Sequence, residues 1–565
     1  MAEKTASKII TRDNAQILCV NGREIGGVAY ITYLAESNRY ADFARVGYKL
    51  YSLPLFFGTN NLNELSGSRS FSAGIYDGDE PYYEELDCNI SRILEACPDA
   101  MILPRVNVNL SERWETAHPD ELCDTTLNPD PNHRRSCLAS DIWVEEVKRL
   151  LTLFVAHIEN APYAANIIGY QIAGGNTEEW LAYDGNAFAG KRSREKFAAL
   201  VATGILPDTE AAFYRFHSDI VADRICELAT YVKDLTDRRL IVGSFYGYTM
   251  ETPTHTVGHA ALHRLLACKD VDFICSPVSY GFTRVPGIEH AYMVPLHSLK
   301  LHGKLYFSEN DTRTHLSKSF NDHPYYQAPI WFGPEKALSL GILKMHFARA
   351  LIYGHASWWF DMWGGWYEDE DYMSFMKRAR EISEEALTLP CRETAQIALF
   401  ADETYCSDPA AAEGVKQVCK LPRRELGLIG APYHIYLASD FDQVKDRYRA
   451  YISLVPIETD DCRAMEAYAQ AHGVPHLRIT AQNCGITAEG LREFCHRAGV
   501  HLYTDRPAVV YANDRFIFVH AAENGELNLQ LSSGETLTEL FTGKSSDGSL
   551  NVKKGDSYLF RRQII

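Results

Sequence analysis

The 565-residue sequence contains 14 cysteines but no CxxC pair, and the cysteines are scattered rather than grouped at metal-ligand spacings. It has no apolar run of about 18 residues, the length that a membrane-spanning helix requires. Its first residues, MAEKTASKII, contain no apolar signal segment. We therefore expect a cytoplasmic protein with reduced thiols and no membrane partner.

Positive charge is also scarce. The sequence has 56 Lys and Arg residues against 74 Asp and Glu residues, which gives a formal net charge of −18. Binding to the phosphates of a nucleic acid or of an anionic membrane requires a basic surface, so neither is expected as the main partner. Aromatic residues are abundant at 12%, with 32 Tyr and 8 Trp, and they suit a site that stacks on flat, weakly polar ligands.

Cys123 and Cys137 flank a polar loop, CDTTLNPDPNHRRSC, which is compatible with a loose zinc loop. The alternative is that both are ordinary thiols. That interpretation also applies to Cys226, Cys268 and Cys275, because each lies in an apolar run where a buried thiol packs as a small apolar group. We expect neither a structural metal nor any other cofactor.

Apolar, strand-like runs alternate with helical patterns after a predicted N-terminal hairpin. The runs are residues 26–34, 50–57, 100–108, 166–175, 239–248, 271–280, 304–311 and 356–363. Strands that are apolar on both faces and alternate with helices indicate a parallel sheet with helices packed outside. Eight such units predict an α/β fold, a (β/α)8 TIM barrel. A doubly wound open sheet is the alternative, but the chain lacks the glycine-rich phosphate turn of that fold.

The composition changes near Pro390. A shorter series of strand-like runs follows at residues 395–403, 450–458, 476–481 and 501–504. It predicts a flavodoxin-like α/β domain without a nucleotide fingerprint. From about residue 506, short strands separated by turns predict a small antiparallel β-sandwich. The expected domains are therefore 1–390 (hairpin and barrel), 391–505 (flavodoxin-like) and 506–565 (β-sandwich).

In a barrel of this type the active site lies at the carboxyl ends of the strands. Polar and aromatic residues end six of the predicted strands. They are Arg105 and Asn107; Gln171, Asn176, Glu178, Glu179 and Trp180; Tyr246 and Tyr248; Tyr280 and Arg284; Glu309, Asn310, Asp311 and Arg313; and Trp358, Trp359, Asp361, Trp363 and Trp366.

Carboxylates after the fourth and seventh strands, surrounded by Trp and Tyr, suit the hydrolysis of an acetal. One carboxylic acid protonates the leaving oxygen, and a second carboxylate meets the oxocarbenium-like carbon. A separation of about 5–5.5 Å gives retention through a covalent glycosyl-enzyme. The two groups must lie in different environments, so that their pKa values are pushed apart.

These residues resemble those of the retaining glycoside hydrolases of clan A, and within the clan those of family 42, the β-galactosidase type. The resemblance implies that Glu309, in YFSENDTRT, is the nucleophile. The acid/base motif of the family is Asn-Glu followed by Tyr, whereas this chain has NTEEW. Glu179, which precedes Trp180, is therefore the expected acid/base, with Glu178 as the alternative.

Thirteen of the remaining strand-end residues are expected to bind substrate, with structural roles as the alternative. Asp361 is either an acceptor for a sugar hydroxyl or a structural acceptor, and the Trp cluster is either a pocket wall or core. The resemblance implies that Tyr280 hydrogen-bonds the nucleophile. The candidate substrate-binding residues are Arg105, Asn107, Gln171, Asn176, Tyr246, Tyr280, Asn310, Arg313, Trp358, Trp359, Asp361, Trp363 and Trp366.

Together these features predict a retaining exo-β-glycosidase that hydrolyses small oligosaccharides or glycosides by double displacement. The resemblance favours β-galactosides. A β-mannosidase, β-glucosidase or arabinosidase on the same scaffold stays open, as does a non-catalytic barrel that binds carbohydrate. The resemblance also implies a homotrimer built through the flavodoxin-like domain, with a dimer or a monomer as the alternative.

Overall fold

The computed structural model describes residues 4–13, 15–59, 73–124, 135–182, 187–251, 255–280, 284–317, 335–362, 364–390, 392–411, 414 and 416–564. The chain begins with a small antiparallel sheet of β1 (Ser7–Arg12), β2 (Ala15–Val20) and β3 (Arg23–Ile25). Strands β1 and β2 form the predicted hairpin. Strand β3 adds a third, short strand to it.

A closed eight-stranded parallel barrel follows, which confirms the predicted fold class. Its strands are β4 (Val28–Ile31), β5 (Leu50–Phe56), β6 (Met101–Asn107), β7 (Gly169–Ala173), β8 (Ile241–Phe245), β9 (Phe273–Pro277), β10 (Leu305–Asn310) and β11 (Ala356–Phe360). Each strand lies inside one of the eight predicted runs. Apart from Met101, every residue of these strands is buried, as expected for strands covered on both faces.

Helices surround the barrel and end its repeats. They are α1 (Tyr40–Arg45), α2 (Glu84–Ala96), α3 (Glu112–Ala117), α4 (Asp141–Asn160), α5 (Lys191–Ala202), α6 (Glu210–Leu235), α7 (Leu262–Ala267), α8 (Leu296–Leu301), α9 (Lys336–Tyr353) and α10 (Glu370–Ala386). The two long helices start where the sequence provides a cap. The Ser140 hydroxyl accepts from the Trp143 amide before α4, and the Thr209 hydroxyl accepts from the Ala212 amide before α6.

The next part of the chain is a parallel four-stranded sheet in the order β13-β12-β14-β15. Its strands are β12 (Ile397–Ala401), β13 (Tyr433–Leu437), β14 (Ala450–Leu454) and β15 (His476–Ile479), and its helices are α11 (Pro422–Leu426), α12 (Phe441–Val444), α13 (Asp460–His472) and α14 (Ala488–Arg497). The strand predicted at 501–504 is wrong. That segment makes one isolated bridge, between Thr504 and Leu529.

Antiparallel strands complete the chain, as predicted from its tail. A five-stranded sheet has the order β16 (Ala508–Ala512), β17 (Phe516–Ala521), β22 (Ser557–Ile564), β19 (Glu535–Glu539) and β20 (Ser545–Ser546), and β18 (Gly525–Asn528) pairs with β21 (Ser549–Val552). The three kinds of sheet thus follow one another in the expected order. Among the described residues, no helix has both the length and the apolar character needed to span a bilayer.

Candidate active site

Arg105 of β6 lies inside the barrel and joins two carboxylates from different strands. Its Nη2 donates to Oε2 of Glu309 over 2.7 Å, and its Nη1 lies 3.5 Å from Oε2 of Glu178. Its Nε donates to the amide oxygen of Gln171, on the neighbouring strand β7, over 3.2 Å. The guanidinium lies 5.1 Å from the ring centroid of Trp358. The side chain is 1% exposed, so these charges interact with little screening by water.

Glu309 is placed by the register of β10 against its neighbours. It is paired with Trp358 of β11, whose indole N–H donates to Glu309 Oε2 over 3.1 Å. Burial raises the pKa of Glu309, and the charge of Asp311 adds to the rise, whereas Arg105 and the Trp358 N–H favour the carboxylate. Glu309 is therefore a buried carboxylate whose Oε2 accepts hydrogen bonds from both Arg105 and Trp358.

The segment between β7 and Leu181 has an unusual backbone. Thr177, Glu178 and Trp180 have φ values of 55°, 68° and 56°, in the left-handed region that non-glycine residues rarely adopt. The Trp180 amide donates to the Gly174 carbonyl over 2.7 Å, and the Trp180 side chain is fully buried. Such conformations cost free energy and persist only where the surroundings hold them. Here they direct the adjacent carboxyls of Glu178 and Glu179 to different partners.

The carboxyl of Glu179 lies beside β8. The hydroxyl of Tyr248 donates to Glu179 Oε1 over 2.7 Å, and the hydroxyl of Thr177 is hydrogen-bonded to Oε2. Burial raises the pKa of Glu179 to about 8, and the negative charge of Glu309 is the second cause. At neutral pH Glu179 is therefore largely protonated and able to act as an acid.

Glu178 is turned to the opposite side and lies on Arg105. Its Oε2 accepts from the hydroxyl of Tyr33 over 2.5 Å, and the residue is 0% exposed, compared with 6% for Glu179. Burial raises the pKa of Glu178 to about 7. Tyr33 follows β4 in an irregular segment, and no sequence pattern singled it out.

Tyr280 and Arg284 meet at Asp311. The Tyr280 hydroxyl donates its proton to Asp311 Oδ2 over 3.0 Å, and Arg284 Nη2 lies 2.7 Å from Asp311 Oδ1. The resemblance implied that Tyr280 donates to Glu309. Because a phenol has a single proton, which Tyr280 gives to Asp311, this prediction is wrong. Tyr280 instead holds the carboxylate two residues further along the chain.

Asp361 accepts hydrogen bonds from the protein itself, which favours the structural alternative for this residue. Its Oδ2 accepts from the hydroxyl of Tyr30 over 2.9 Å and from the Gly365 amide over 3.2 Å, and its Oδ1 accepts from the Trp366 amide over 2.8 Å. These bonds fold the turn after β11. Trp366 is 1% exposed in that turn, and Arg313 lies over its ring.

The tryptophans of β11 divide between the inside and the outside of the barrel. Trp358 faces the site, whereas its neighbour Trp359 faces the outer helices, because successive side chains of a strand point to opposite faces. The Trp359 indole donates to the Tyr48 hydroxyl over 2.9 Å, and its ring contacts Phe375 of α10. Trp363 lies outside the described residues. The structure therefore brings one of these predicted wall residues, Trp358, to the carboxylates.

The other candidate residues lie around the site rather than at its centre. The Tyr246 hydroxyl donates to the Gly258 carbonyl over 2.9 Å, and the Asn107 side chain accepts from the Asn109 amide over 2.9 Å. Asn310 is paired in register with Trp359 and so follows the outward face of β10. The carbonyl of Asn176 accepts from the Glu179 amide over 3.1 Å.

One group of possible metal ligands lies outside this site. The ligand atoms of His297, Glu393 and His434 are all within 4.8 Å of one another. The Ile435 amide donates to His297 Nδ1 over 2.9 Å, so the proton of a neutral His297 ring is on Nε2, the nitrogen that would have to bind the ion. Lys300 already pairs with Glu393. A protonated His297 Nε2 and a Glu393 that is already paired do not suit a metal site.

Cys123 and Cys137 are close in space. A hydrogen bond from Cys123 lowers the pKa of the Cys137 thiol to about 7. Residues 125–134, which carry the rest of the predicted zinc loop, lie outside the described residues.

Comparison with known proteins shows which solved structures have a similar fold. No protein-family model and no curated protein matches the sequence. Among solved structures, the β-galactosidase from psychrophilic Marinomonas ef1 matches with a TM-score of 0.62 and 11% identity, over 95% of this chain and 100% of that one. The β-galactosidase from Bacillus circulans sp. alkalophilus matches with a TM-score of 0.60 and 12% identity, over 95% and 98%.

A third structure, the family 42 exo-carrageenase from Bacteroides ovatus, matches with a TM-score of 0.59 and 12% identity, over 100% of this chain and 85% of that one. These matches extend beyond the barrel to the sheets that follow it. The chain therefore has the fold of the family 42 glycoside hydrolases, of the β-galactosidase type.

Proposed function

We propose that the protein is a retaining β-glycosidase and that its substrates are β-galactosides. The observation that carries the proposal is the pairing of two buried carboxyls in unlike surroundings. Glu309 is bound by a guanidinium and an indole N–H, whereas Glu179 is bound by two hydroxyls and feels the charge of Glu309. The guanidinium favours the ionised form of Glu309, and the charge of Glu309 favours the protonated form of Glu179, so the two groups can divide the nucleophile and acid roles.

In the proposed mechanism Glu309 attacks the anomeric carbon. Arg105 favours the ionised form of this carboxylate and fixes its position, since the 2.7 Å contact is charge-assisted and buried. The bond from carbon to the leaving oxygen breaks as the glycosyl-enzyme ester forms. Water then cleaves the ester and returns Glu309 to its carboxylate.

Glu179 is the proposed acid/base. It donates its proton to the leaving oxygen and then accepts one from the attacking water. Glu178 is the weaker candidate because it is 0% exposed, compared with 6% for Glu179, and because the adjacent Arg105 favours its ionised form. A general acid must be reached first by the leaving group and then by water.

The choice of β-galactosides rests on the matched structures, two of which are named β-galactosidases. A panel of 4-nitrophenyl glycosides tests both the activity and the sugar. The proposal expects release of nitrophenol from the β-galactoside, and none from the same protein with Glu309→Gln. Faster release from another β-glycoside would change the proposed sugar specificity but would leave the proposed mechanism intact. No release from any member of the panel would overturn the proposed function.

We also propose that the protein is a homotrimer, with the parallel-sheet region providing the contacts. That region carries none of the strand-end carboxylates of the barrel. A closed three-fold ring requires two complementary patches on each subunit.

A further inference from the structure

His259 lies at the centre of a closed set of hydrogen bonds around Glu179. The residue precedes α7 and is 4% exposed. The Tyr248 amide donates to His259 Nδ1 over 3.3 Å, and His259 Nε2 lies 2.8 Å from the backbone carbonyl of Glu179. The hydroxyl of the same Tyr248 donates to the Glu179 side chain over 2.7 Å. The set therefore runs from the Glu179 carbonyl through His259 and Tyr248 to the Glu179 carboxyl.

These contacts determine the tautomer of His259. Because Nδ1 accepts the Tyr248 amide proton, it cannot carry a proton of its own. In the neutral ring the proton is on Nε2, which donates to the Glu179 carbonyl. Burial lowers the pKa of His259 to about 3, in agreement with a neutral ring at working pH.

The ring is also held from its sides. It stacks on Tyr246, with ring centroids 4.5 Å apart and planes 26° apart, and it meets the edge of Tyr248 at 4.7 Å. The Tyr246 hydroxyl is in turn anchored on the Gly258 carbonyl. The His259 ring therefore has little freedom to rotate, so it can hold the Glu179 carbonyl in a fixed position.

The segment that carries Glu179 needs such a restraint. Thr177, Glu178 and Trp180 occupy left-handed backbone conformations around it, which relax unless the surroundings hold them. A donor fixed on the Glu179 carbonyl opposes that relaxation at the residue whose side chain must meet the leaving oxygen. A shift of about 1 Å in a catalytic group is enough to cost about 10²-fold in rate.

We infer that His259 and Tyr248 act together as positioning residues for the acid/base Glu179, holding it by its carbonyl and its carboxyl at once. This inference rests on the proposed function. It goes beyond that function by assigning the placement of the acid to a histidine that contacts Glu179 through its backbone carbonyl.

The test separates placement of the acid from loss of structure. Glycosides with alkyl leaving groups need protonation, whereas 2,4-dinitrophenyl glycosides need little. For His259→Asn, which removes the donor to Glu179, kcat/KM for the alkyl glycoside is expected to fall about 10- to 100-fold more than for the dinitrophenyl glycoside. His259→Gln, whose amide can still donate to the carbonyl, is expected to show a smaller difference.

His520 supplies the matched control, because it is also a buried histidine that accepts a backbone amide, from Gly287 over 2.8 Å. His520→Asn and His520→Gln should lower both rates equally or not at all. Equal loss of both rates in the His259 variants would overturn the inference, and so would unchanged rates.

Tyr248→Phe tests the same inference should the His259 variants fail to fold. It removes the hydroxyl and keeps the amide that binds His259, and it should show the same dependence on the leaving group. Unchanged rates in this variant would also overturn the inference. Wild-type protein that hydrolyses neither glycoside would instead refute the proposed function.

Discussion

Arg105 binds Glu309 in the middle of the barrel, with Nη2 2.7 Å from Oε2, and the Arg105 side chain is 1% exposed. The same guanidinium reaches Glu178 from its other end. One arginine thus holds a carboxylate from β10 and one from the segment after β7. Its removal would leave two buried acids without their cation.

Arg105→Met should therefore abolish activity and destabilise the fold. Removing one partner of a buried ion pair costs about 3–5 kcal/mol, which urea denaturation followed by circular dichroism can measure. Arg105→Lys keeps a charge but loses the two-ended geometry, so we expect most of the stability and little of the activity. If Arg105→Lys keeps full activity, Arg105 does not orient the nucleophile.

Exchanging Glu309 for Gln should change both the rate and the titration of Glu179. Loss of the nucleophile should lower kcat by at least about 10³-fold. Removal of the Glu309 charge should lower the pKa of Glu179, because that charge is one of the causes that raise it. NMR titration of labelled glutamate carboxyls would show this. An unchanged Glu179 pKa would mean that the two groups do not share a site.

The pH dependence of wild-type activity should show a loss on the alkaline side. Glu179 acts when protonated, and its pKa is raised from an ordinary value of 4.5 to about 8. kcat/KM for an alkyl glycoside should thus fall as the pH rises through about 8. A 2,4-dinitrophenyl glycoside is the control and should lose less. An alkaline limb near 5 would contradict the assignment of Glu179 as the buried acid.

Glu178 and Glu179 can be separated by chemical rescue. In Glu179→Ala the glycosyl-enzyme accumulates because no general base activates water. Azide should restore turnover of an activated substrate, because it attacks the glycosyl-enzyme without a general base. Glu178→Ala should not be rescued, since Glu178 contacts Tyr33 and Arg105 instead. Rescue of Glu178→Ala alone would move the acid/base role back by one residue.

The proposed trimer should appear in light scattering of the purified chain. A mass near three times 63.7 kDa is expected. A monodisperse monomer at micromolar concentration would remove the trimer and any site shared between subunits.

The barrel could be predicted from the sequence because its strands are buried on both faces. Each apolar run was long enough to be recognised as a strand. Arg105 and Glu309 lie near the carboxyl ends of two of these runs, so both were expected at the same end of the barrel. Strand β13 was missed because its run, YHIYL, contains a polar residue, His434, which packs on His297 at 3.9 Å. That stacking depends on a partner far away in the chain.

The residues that hold the two acids were harder to find. Tyr33 and His259 lie in irregular segments, where no periodicity indicates which way a side chain points. Tyr248 was visible at a strand end, but its bond to Glu179 depends on the left-handed turn at 177–180. Glycine is the usual sign of a left-handed conformation, and none of those four positions is a glycine. The sequence therefore could not indicate the turn.

As the proposed nucleophile, Glu309 forms a covalent bond to the anomeric carbon of the sugar. A 2-deoxy-2-fluoro glycoside with a dinitrophenyl leaving group, made with the sugar that the wild-type protein hydrolyses fastest, should trap that ester, because the fluorine slows its hydrolysis. Mass spectrometry of the digested protein should then find one sugar on the peptide that contains Glu309. A sugar on any other residue, or a protein that stays active and unlabelled, would show that Glu309 is not the nucleophile.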